Sequence, residues 1–303
     1  MRRYTLRQLD TFLDVARELS ISRAAEKLHV TQPAVSMQMR QLEDAVGLPL
    51  YEQTGRKIRL TDAGLDFQQY AIAAVGQLKQ LEDAMAERRG LKRGRVELAI
   101  VSTAKYFVPM LLVLFRKKFP AIEVVLQIHN RESIMNLLSR NEIDLVIMGH
   151  APDTLECTAN IFATNPLGII SAPQHPLSRR RKAPLAALKD HEFVVREKGS
   201  GTRQLMERLF AEHDINPPIV MEMPSNETIK QAVMAGMGLS FLSLRTIRHE
   251  LGSGHLVLLD IEGLPIVRHW HVTHLTSKRL SPAASVLKTF LIEEAGPLVN
   301  IWA

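Results

Sequence analysis

The chain has 303 residues, which at ~150 residues per domain leads to an expectation of about two domains. Its 46% hydrophobic and 23% charged content excludes disorder for most of the length, and its one cysteine, Cys157, excludes a disulfide scaffold and fits a reducing compartment. The net charge of +6 permits a polyanionic partner, but the first 60 residues hold only ten basic against seven acidic side chains, so nucleic-acid binding has to be argued from where the charges sit.

Met1-Arg2-Arg3 opens the chain, yet Arg7, Gln8 and Asp10 interrupt the next ten residues and no apolar signal core forms, so a cytoplasmic location is expected. Thr5-Leu6-Arg7-Gln8 reads as a capping box, and Leu6, Leu9, Phe12, Leu13 and Ala16 share one face of a first helix. A second helix is expected to begin at Ser22 and to carry Ala24, Ala25 and Leu28. Thr31 then caps a third, with Pro33 in its first turn and Gly47 as its stop. Ala25 is small enough for a helix crossing, His29 tolerates a left-handed turn, and Val35 fits the corner. The pair therefore reads as a helix-turn-helix, although a plain helical hairpin has the same spacing.

Thr31, Gln32, Pro33, Ala34, Ser36, Met37 and Arg40 fall on the outward, N-terminal turns of the third helix. There Gln32 can pair bidentately with adenine, Ser36 can serve base or phosphate, and Ala34 or Met37 can touch a thymine methyl. Helix starts at Ser22 and Thr31 offer backbone amides to phosphates. Glu52 to Leu60 predicts a hairpin, the wing of a winged helix-turn-helix, whose glycine tip is flanked by Arg56 and Lys57; such cations can reach the backbone or minor groove, or stay solvated.

From Thr61 to about Arg89 there is no proline, and Ala63, Phe67, Tyr70, Ala74, Leu78, Leu81 and Met85 recur at helical spacing. A helix of roughly 45 Å is expected. Its stripe implies a partner, most simply a second copy of the chain, or else packing on its own domain. The longest apolar run, Tyr106 to Phe115, contains Pro109 and is about half of a ~20-residue membrane span, so no transmembrane helix is expected.

Beyond a linker at 88 to 95, strands are read near 95 to 101, 122 to 128, 143 to 148, 167 to 171, 192 to 195, 219 to 223, 238 to 242, 256 to 260 and 266 to 273. Helices alternate with them, the last near 281 to 294. This alternation predicts mostly parallel sheets in two α/β lobes, with ligands outside the carboxyl ends of the strands.

Leu9-Asp10-Thr11-Phe12, Ser22-Arg23-Ala24-Ala25-Glu26-Lys27-Leu28, Thr31-Gln32-Pro33-Ala34-Val35-Ser36, Leu42-Glu43, Gly47, Leu60-Thr61 and Ala63-Gly64 together resemble the N-terminal signature of LysR-type transcriptional regulators. Met37 stands where many such proteins carry a basic residue. Glu52-Gln53-Thr54-Gly55-Arg56-Lys57, Val101 to Phe107, Lys198 to Arg203 and Ser225 to Val233 are similar to the CbbR-type regulators of carbon dioxide-fixation (Calvin cycle) operons.

The resemblance implies a winged helix-turn-helix at 1–60, a dimerising linker helix and hinge at 61–93, and an effector domain at 94–303. That domain would be doubly wound α/β and two-lobed, like periplasmic solute-binding proteins, with lobe I near 94–163 and 268–303 and lobe II near 164–267. The implied partners are double-stranded DNA, further copies of the chain up to a homotetramer, RNA polymerase, and a small anionic effector such as a phosphorylated metabolite or NADPH.

The residues point to an anion site on their own. Ser102-Thr103, Gly199-Ser200-Gly201-Thr202 and Ser225-Asn226 each open a helix after a strand, and three helix N-termini can cradle phosphate or carboxylate. Lys105, Arg131, Lys198 and Arg203 can add charge-assisted bonds. With Asn130 and Gly149, the candidate effector set is Ser102, Thr103, Lys105, Asn130, Arg131, Gly149, Gly201, Thr202, Arg203 and Asn226; ordinary capping explains any one of these equally well.

No catalytic or metal site is expected. Ser102-Thr103-Ala104-Lys105 fits the S-x-x-K pattern of serine acyl-enzymes but lacks its companion elements, which leaves an acyl-transferring enzyme with an attached helix-turn-helix as the alternative from another class. His269 and His271 share a strand face from which His274 points away, and neither Gly199-Ser-Gly201 nor Gly236-Met-Gly238 completes a dinucleotide fingerprint. A LysR-type regulator of a different pathway is the other alternative.

Overall fold

The structure, a computed structural model, describes residues 4–54, 57–88, 94–152 and 154–301. It divides into an N-terminal unit ending at Met85 and a second unit beginning at Ala86.

In the N-terminal unit the capping box forms: the Thr5 hydroxyl accepts from the Gln8 amide, the Gln8 side chain accepts from the Thr5 amide, and helix α1 (Leu6–Glu18) begins there. Helix α2 (Ile21–Lys27) is capped by Ser20, whose hydroxyl accepts from the Arg23 amide. This corrects the start expected at Ser22, which lies exposed inside the first turn. Ile21 is buried and already belongs to the inner helix face, so the extended residue before it takes the cap.

His29 adopts a left-handed φ of 53°, turning the chain into helix α3 (Gln32–Val46), which ends at Gly47 with φ 83°. Thr31 holds the N-cap position, but its side chain makes no capping hydrogen bond. Val35, Met39 and Leu42, at helical spacing, are fully buried with Phe12, Val15, Ala24 and Ala25. Strands β1 (Tyr51–Thr54) and β2 (Lys57–Leu60) pair antiparallel with Thr54 opposite Lys57. Arg56 and the side chain of Lys57 lie outside the described residues.

Helix α4 (Asp62–Arg88) is 27 residues long, roughly 40 Å. Its stripe splits: Ala63 and Phe67 pack on the unit's own core, the Phe67 ring 5.0 Å from Phe12 and 5.7 Å from Tyr4, whereas Tyr70, Leu78, Leu81 and Met85 are exposed.

The second unit opens with β3 (Gly94–Val101), a 3-10 turn (Ser102–Tyr106), α5 (Val108–Lys118), β4 (Ile122–His129), α6 (Arg131–Ser139) and β5 (Leu145–Met148). The long β6 (Cys157–Ser171) leads to β7 (Phe193–Arg196), α7 (Gly201–Glu212), β8 (Ile219–Met223), α8 (Asn226–Met234), β9 (Ser240–Ser243), α9 (Arg248–Gly252) and β10 (Val257–Leu258). The chain returns along β11 (Ile266–Leu275) into α10 (Pro282–Phe290), a π turn, and α11 (Gly296–Ile301).

Strand β3 is parallel to β4 and β5, and β7 is parallel to β8. The expectation of mostly parallel sheets fails at β6 and β11, which run antiparallel to one another along nearly their whole length, while β11 also pairs antiparallel with β5 and β6 with β9 and β10. Polar residues and Pro166 interrupt the apolar pattern of β6 before Leu167, which concealed its first ten residues. The two strands span separate cores. One holds Leu98, Ile100, Phe115, Trp270 and Leu287; the other holds Phe193, Phe210, Leu239 and Phe241.

Candidate functional site

With Val35, Met39 and Leu42 turned inward, α3 presents Gln32, Pro33, Met37 and Arg40 as exposed residues, with Ala34 and Ser36 half-buried between them. Among the described residues no hydrogen bond or ion pair engages the side chains of Gln32, Ser36 or Arg40, whereas Lys27 on α2 is tied to Asp14 at 2.9 Å and Arg23 donates to the Glu18 carbonyl. The polar outer face of one helix is thus free to meet base edges, with Arg40 available to a phosphate or guanine.

In the second unit a cleft of about 150 Å³ lies where the two long strands pass from one core to the other. It collects much of the expected effector set: Ser102 and Thr103 after β3, Asn130 and Arg131 at the start of α6, Gly149 after β5, and Gly201 and Thr202 at the start of α7. Asn130 is itself a cap, accepting from the Ser133 amide at 2.9 Å. Ser200, at the N-cap of α7, makes no side-chain capping bond. Gly199 reaches that start with φ +86°, and a Cβ there would strike the Glu132 carboxylate.

Three expected residues do not line the cleft. Lys105 lies 5.2 Å from the centre of its neighbour's ring, Tyr106, rather than over the cavity. Arg203 is buried, donating to Glu207 at 2.5 Å and to the Arg196 carbonyl. Asn226 is buried behind the wall, where its oxygen accepts from Arg196 at 2.8 Å.

Arg196 is the residue that sequence reasoning missed and the cleft depends on. Only 3% exposed, it donates to both oxygens of Glu197 at 2.8 and 2.9 Å, to Asn226, and from the end of β7 to the Ser102 hydroxyl after β3 at 2.9 Å. Arg208, Arg268, His150 and Asn165 also line the cavity, so four arginines and no carboxylate face it. Charge at the end of the apolar strand Phe193–Arg196 was the one local signal for Arg196, and Arg208 comes seven residues after Gly201 on one helix face.

A second long-range contact joins the turn after β3 to α8, where the Tyr106 hydroxyl donates to Glu227. Burial first, then the Glu227 bond, pushes the Tyr106 hydroxyl above the ordinary phenol range. Burial also pushes Glu227 upward, but hydrogen bonds from Tyr106 and Lys230 and the charges of Lys230 and Lys105 outweigh it and leave the carboxyl below its usual value. Ser102 accepts from Arg196 and makes no bond to Lys105, so no serine–lysine nucleophile pair is assembled among the described residues.

Residues 6–65 match the family described as bacterial regulatory helix-turn-helix protein, lysR family, and residues 89–296 match the LysR substrate binding domain. The chain belongs to the LysR family of transcriptional regulators. It is 45% identical over 291 residues, 96% of each chain, to the RuBisCO operon transcriptional regulator of Allochromatium vinosum. The CcmR regulatory domain of Synechocystis, solved in complex with 2-PG, is 41% identical, with a TM-score of 0.64 over 66% of this chain and 96% of that one. Full-length OxyR from Pseudomonas aeruginosa shares the fold, with a TM-score of 0.75 at 20% identity over 96% of this chain and 95% of that one. This LysR-family protein is therefore a DNA-binding regulator with an effector-binding domain, not an enzyme. Among the described residues no helix is long and apolar enough to cross a membrane.

Proposed function

We propose that this regulator controls carbon dioxide-fixation genes, with a small phosphorylated anion as its effector. The observation that carries the reading is the cleft lined by four arginines and no carboxylate, in a chain 45% identical to a RuBisCO operon regulator. A cavity of about 150 Å³ is well below the ~300–1,000 Å³ typical of clefts for drug-sized ligands, which favours a compound the size of 2-phosphoglycolate over NADPH. The CcmR domain, 41% identical, takes 2-PG, which supports the same class here.

In this reading Thr31, Gln32, Pro33, Ala34, Ser36, Met37 and Arg40 on α3, Ser22 on α2 and the wing residues Arg56 and Lys57 meet DNA. Ser102, Thr103, Asn130, Arg131, Gly149, Gly201 and Thr202 meet the effector, with the missed Arg196 holding Ser102 in place. The apolar side chains left exposed on α4 support pairing with the same helix of a second copy, and two reading heads call for a pseudo-palindromic site. The working form is a cytoplasmic homotetramer that activates through RNA polymerase. Its effector acts by binding two subunit arrangements with different affinity.

Footprinting and bend assays upstream of carbon dioxide-fixation operons, at fixed salt, test this. A footprint that shortens or a bend that relaxes with 2-phosphoglycolate is the expected result. Specific binding that ignores 2-phosphoglycolate and NADPH alike would remove the effector reading and keep the DNA one.

A further inference from the structure

The four arginines of the cleft are not equivalent. Arg131 donates to the backbone carbonyls of His150 and Ala151, at 2.6 and 3.4 Å. Arg196 is committed to Glu197, Asn226 and Ser102. Arg208 and Arg268 make no hydrogen bond or ion pair with any described residue, although both line the same cavity and no acidic side chain joins them there. Two uncompensated guanidinium groups around one concavity repel one another, and an anion between them relieves that repulsion.

Their placement sets a distance. The lining residues of α7 are Gly201, Gln204, Leu205 and Arg208, spaced 0, 3, 4 and 7 along the helix, so a single face runs along the cleft. Arg208 sits ~10 Å beyond Gly201 along the axis, and a helical side chain leans back toward the N-terminus by about a turn. A side chain leaning back by a turn would bring its guanidinium to roughly 5 Å from the first turn along the axis, a span that a phosphate and a carboxylate joined through one or two carbons can bridge. Arg268 approaches from the other wall: on β11 it stands opposite Asn165 of β6, which also lines the cleft and whose oxygen is held by the Ser243 hydroxyl at 2.6 Å.

We propose that the cleft reads two anionic groups on one short ligand: a phosphate at the start of α7, beside Ser102, Thr103 and Thr202, and a carboxylate between Arg208 and Arg268. The effector class is then the short phosphorylated carboxylic acids, not phosphate esters in general. This rests on the proposed effector reading and extends it, because it assigns each half of the ligand to different residues.

Calorimetric titration of the full-length protein, with 2-phosphoglycolate, ethyl phosphate and glycolate as probes, separates the possibilities. Wild-type protein is expected to bind 2-phosphoglycolate at least tenfold more tightly than ethyl phosphate, which lacks the carboxylate. Arg208→Gln and Arg268→Gln should each weaken 2-phosphoglycolate by about ten- to hundredfold, the worth of a charge-assisted hydrogen bond, and shift ethyl phosphate less than about twofold. Arg208 is exposed, so its variant keeps the fold and gives an independent result if Arg268→Gln proves unstable. Equal losses for both phosphates, or 2-phosphoglycolate binding that neither variant disturbs, would overturn the two-group assignment alone. A wild-type protein that binds ethyl phosphate but gains nothing from the carboxylate would overturn it too. Wild-type protein that binds none of the probes would overturn the phosphorylated-effector reading and this inference with it.

Discussion

The reading face of α3 and the effector cleft both address anions, yet they are built in opposite ways. Gln32, Ser36, Met37 and Arg40 come from one short stretch of one helix, stand outside the core, and are held in place by Val35, Met39 and Leu42 behind them. The cleft draws on residues from Val101 to Arg268, and its central cation, Arg196, is at once lining, long-range contact and buried ion-pair partner. On the helix, recognition is separable from stability. At Arg196 the two are the same bonds.

Arg196→Met is the largest test of that contrast. It leaves the Glu197 carboxylate and the Asn226 oxygen without their donor and frees Ser102 from the end of β7. Breaking a buried pair by removing one partner costs about 3–5 kcal/mol, so urea unfolding of the effector unit should show a loss of that order together with loss of effector binding. A variant that unfolds within about 1 kcal/mol of wild type would show the network to be ornamental.

Gln32→Ala probes the other side. The expected change is ~1–3 kcal/mol of discrimination at a single base pair, with stability inside the ~0.5 kcal/mol of ordinary surface substitutions. Competition binding against a library of single-base site variants measures the first and thermal unfolding the second. Equal weakening on every sequence would mean that Gln32 touches no base.

The same contrast explains what was legible in the chain. Caps, helical periodicity and the left-handed turn at His29 are local, so the helix-turn-helix and the long α4 could be read within a few residues of each boundary; only the cap at Ser20 displaced Ser22. Strand-to-helix junctions are local too, which is why Ser102, Thr103, Gly201 and Thr202 could be named and then found around one cavity. Arg268 and Asn165 become neighbours only through the antiparallel register of β6 and β11, and no spacing in the chain encodes that pairing. Lys105 and Arg203 were drawn in by charge alone, but Tyr106 and Glu207 claim them.

Thr202→Val sharpens the comparison at smaller scale. Thr202 lines the cleft at the first turn of α7, where it forms no hydrogen bond to another described side chain, so loss of its hydroxyl removes a ligand contact of about 1 kcal/mol without breaking a structural one. Effector affinity measured by calorimetry should fall about fivefold. Unchanged affinity would remove Thr202 from the site. On the reading helix, Arg40→Gln is expected to weaken all sequences and lower the salt slope of binding by about 0.9, the signature of one lost phosphate contact. A slope that stays constant while one base preference relaxes would assign Arg40 to a base instead.

The smallest expected effect is a pH slope confined to the effector unit. His274 is 8% exposed, its Nδ1 lies 2.9 Å from the Leu275 carbonyl, and its Nε2 faces the Lys288 ammonium at 3.2 Å. That arrangement suits a neutral ring, donating from Nδ1 and accepting at Nε2. Burial, with the charges of Lys288 and Lys278, holds His274 below 6.5, and burial with the charges of His150, His269 and Arg268 does the same for His271.

Above 6.5 neither state carries the proton and the linkage is flat. As the pH falls through that value the unfolded chain takes up protons that the folded unit refuses, so stability is lost progressively toward the folded pKa. Thermal unfolding of the effector unit between about pH 7.5 and 5.5 should therefore show a falling midpoint, and His274→Gln should make the fall shallower while His271 keeps part of it. The N-terminal unit, whose single histidine is the exposed His29, serves as the internal reference in the same scan. A midpoint that rises on acidification would require histidines that gain their proton in the folded unit, against the burial of His271 and His274.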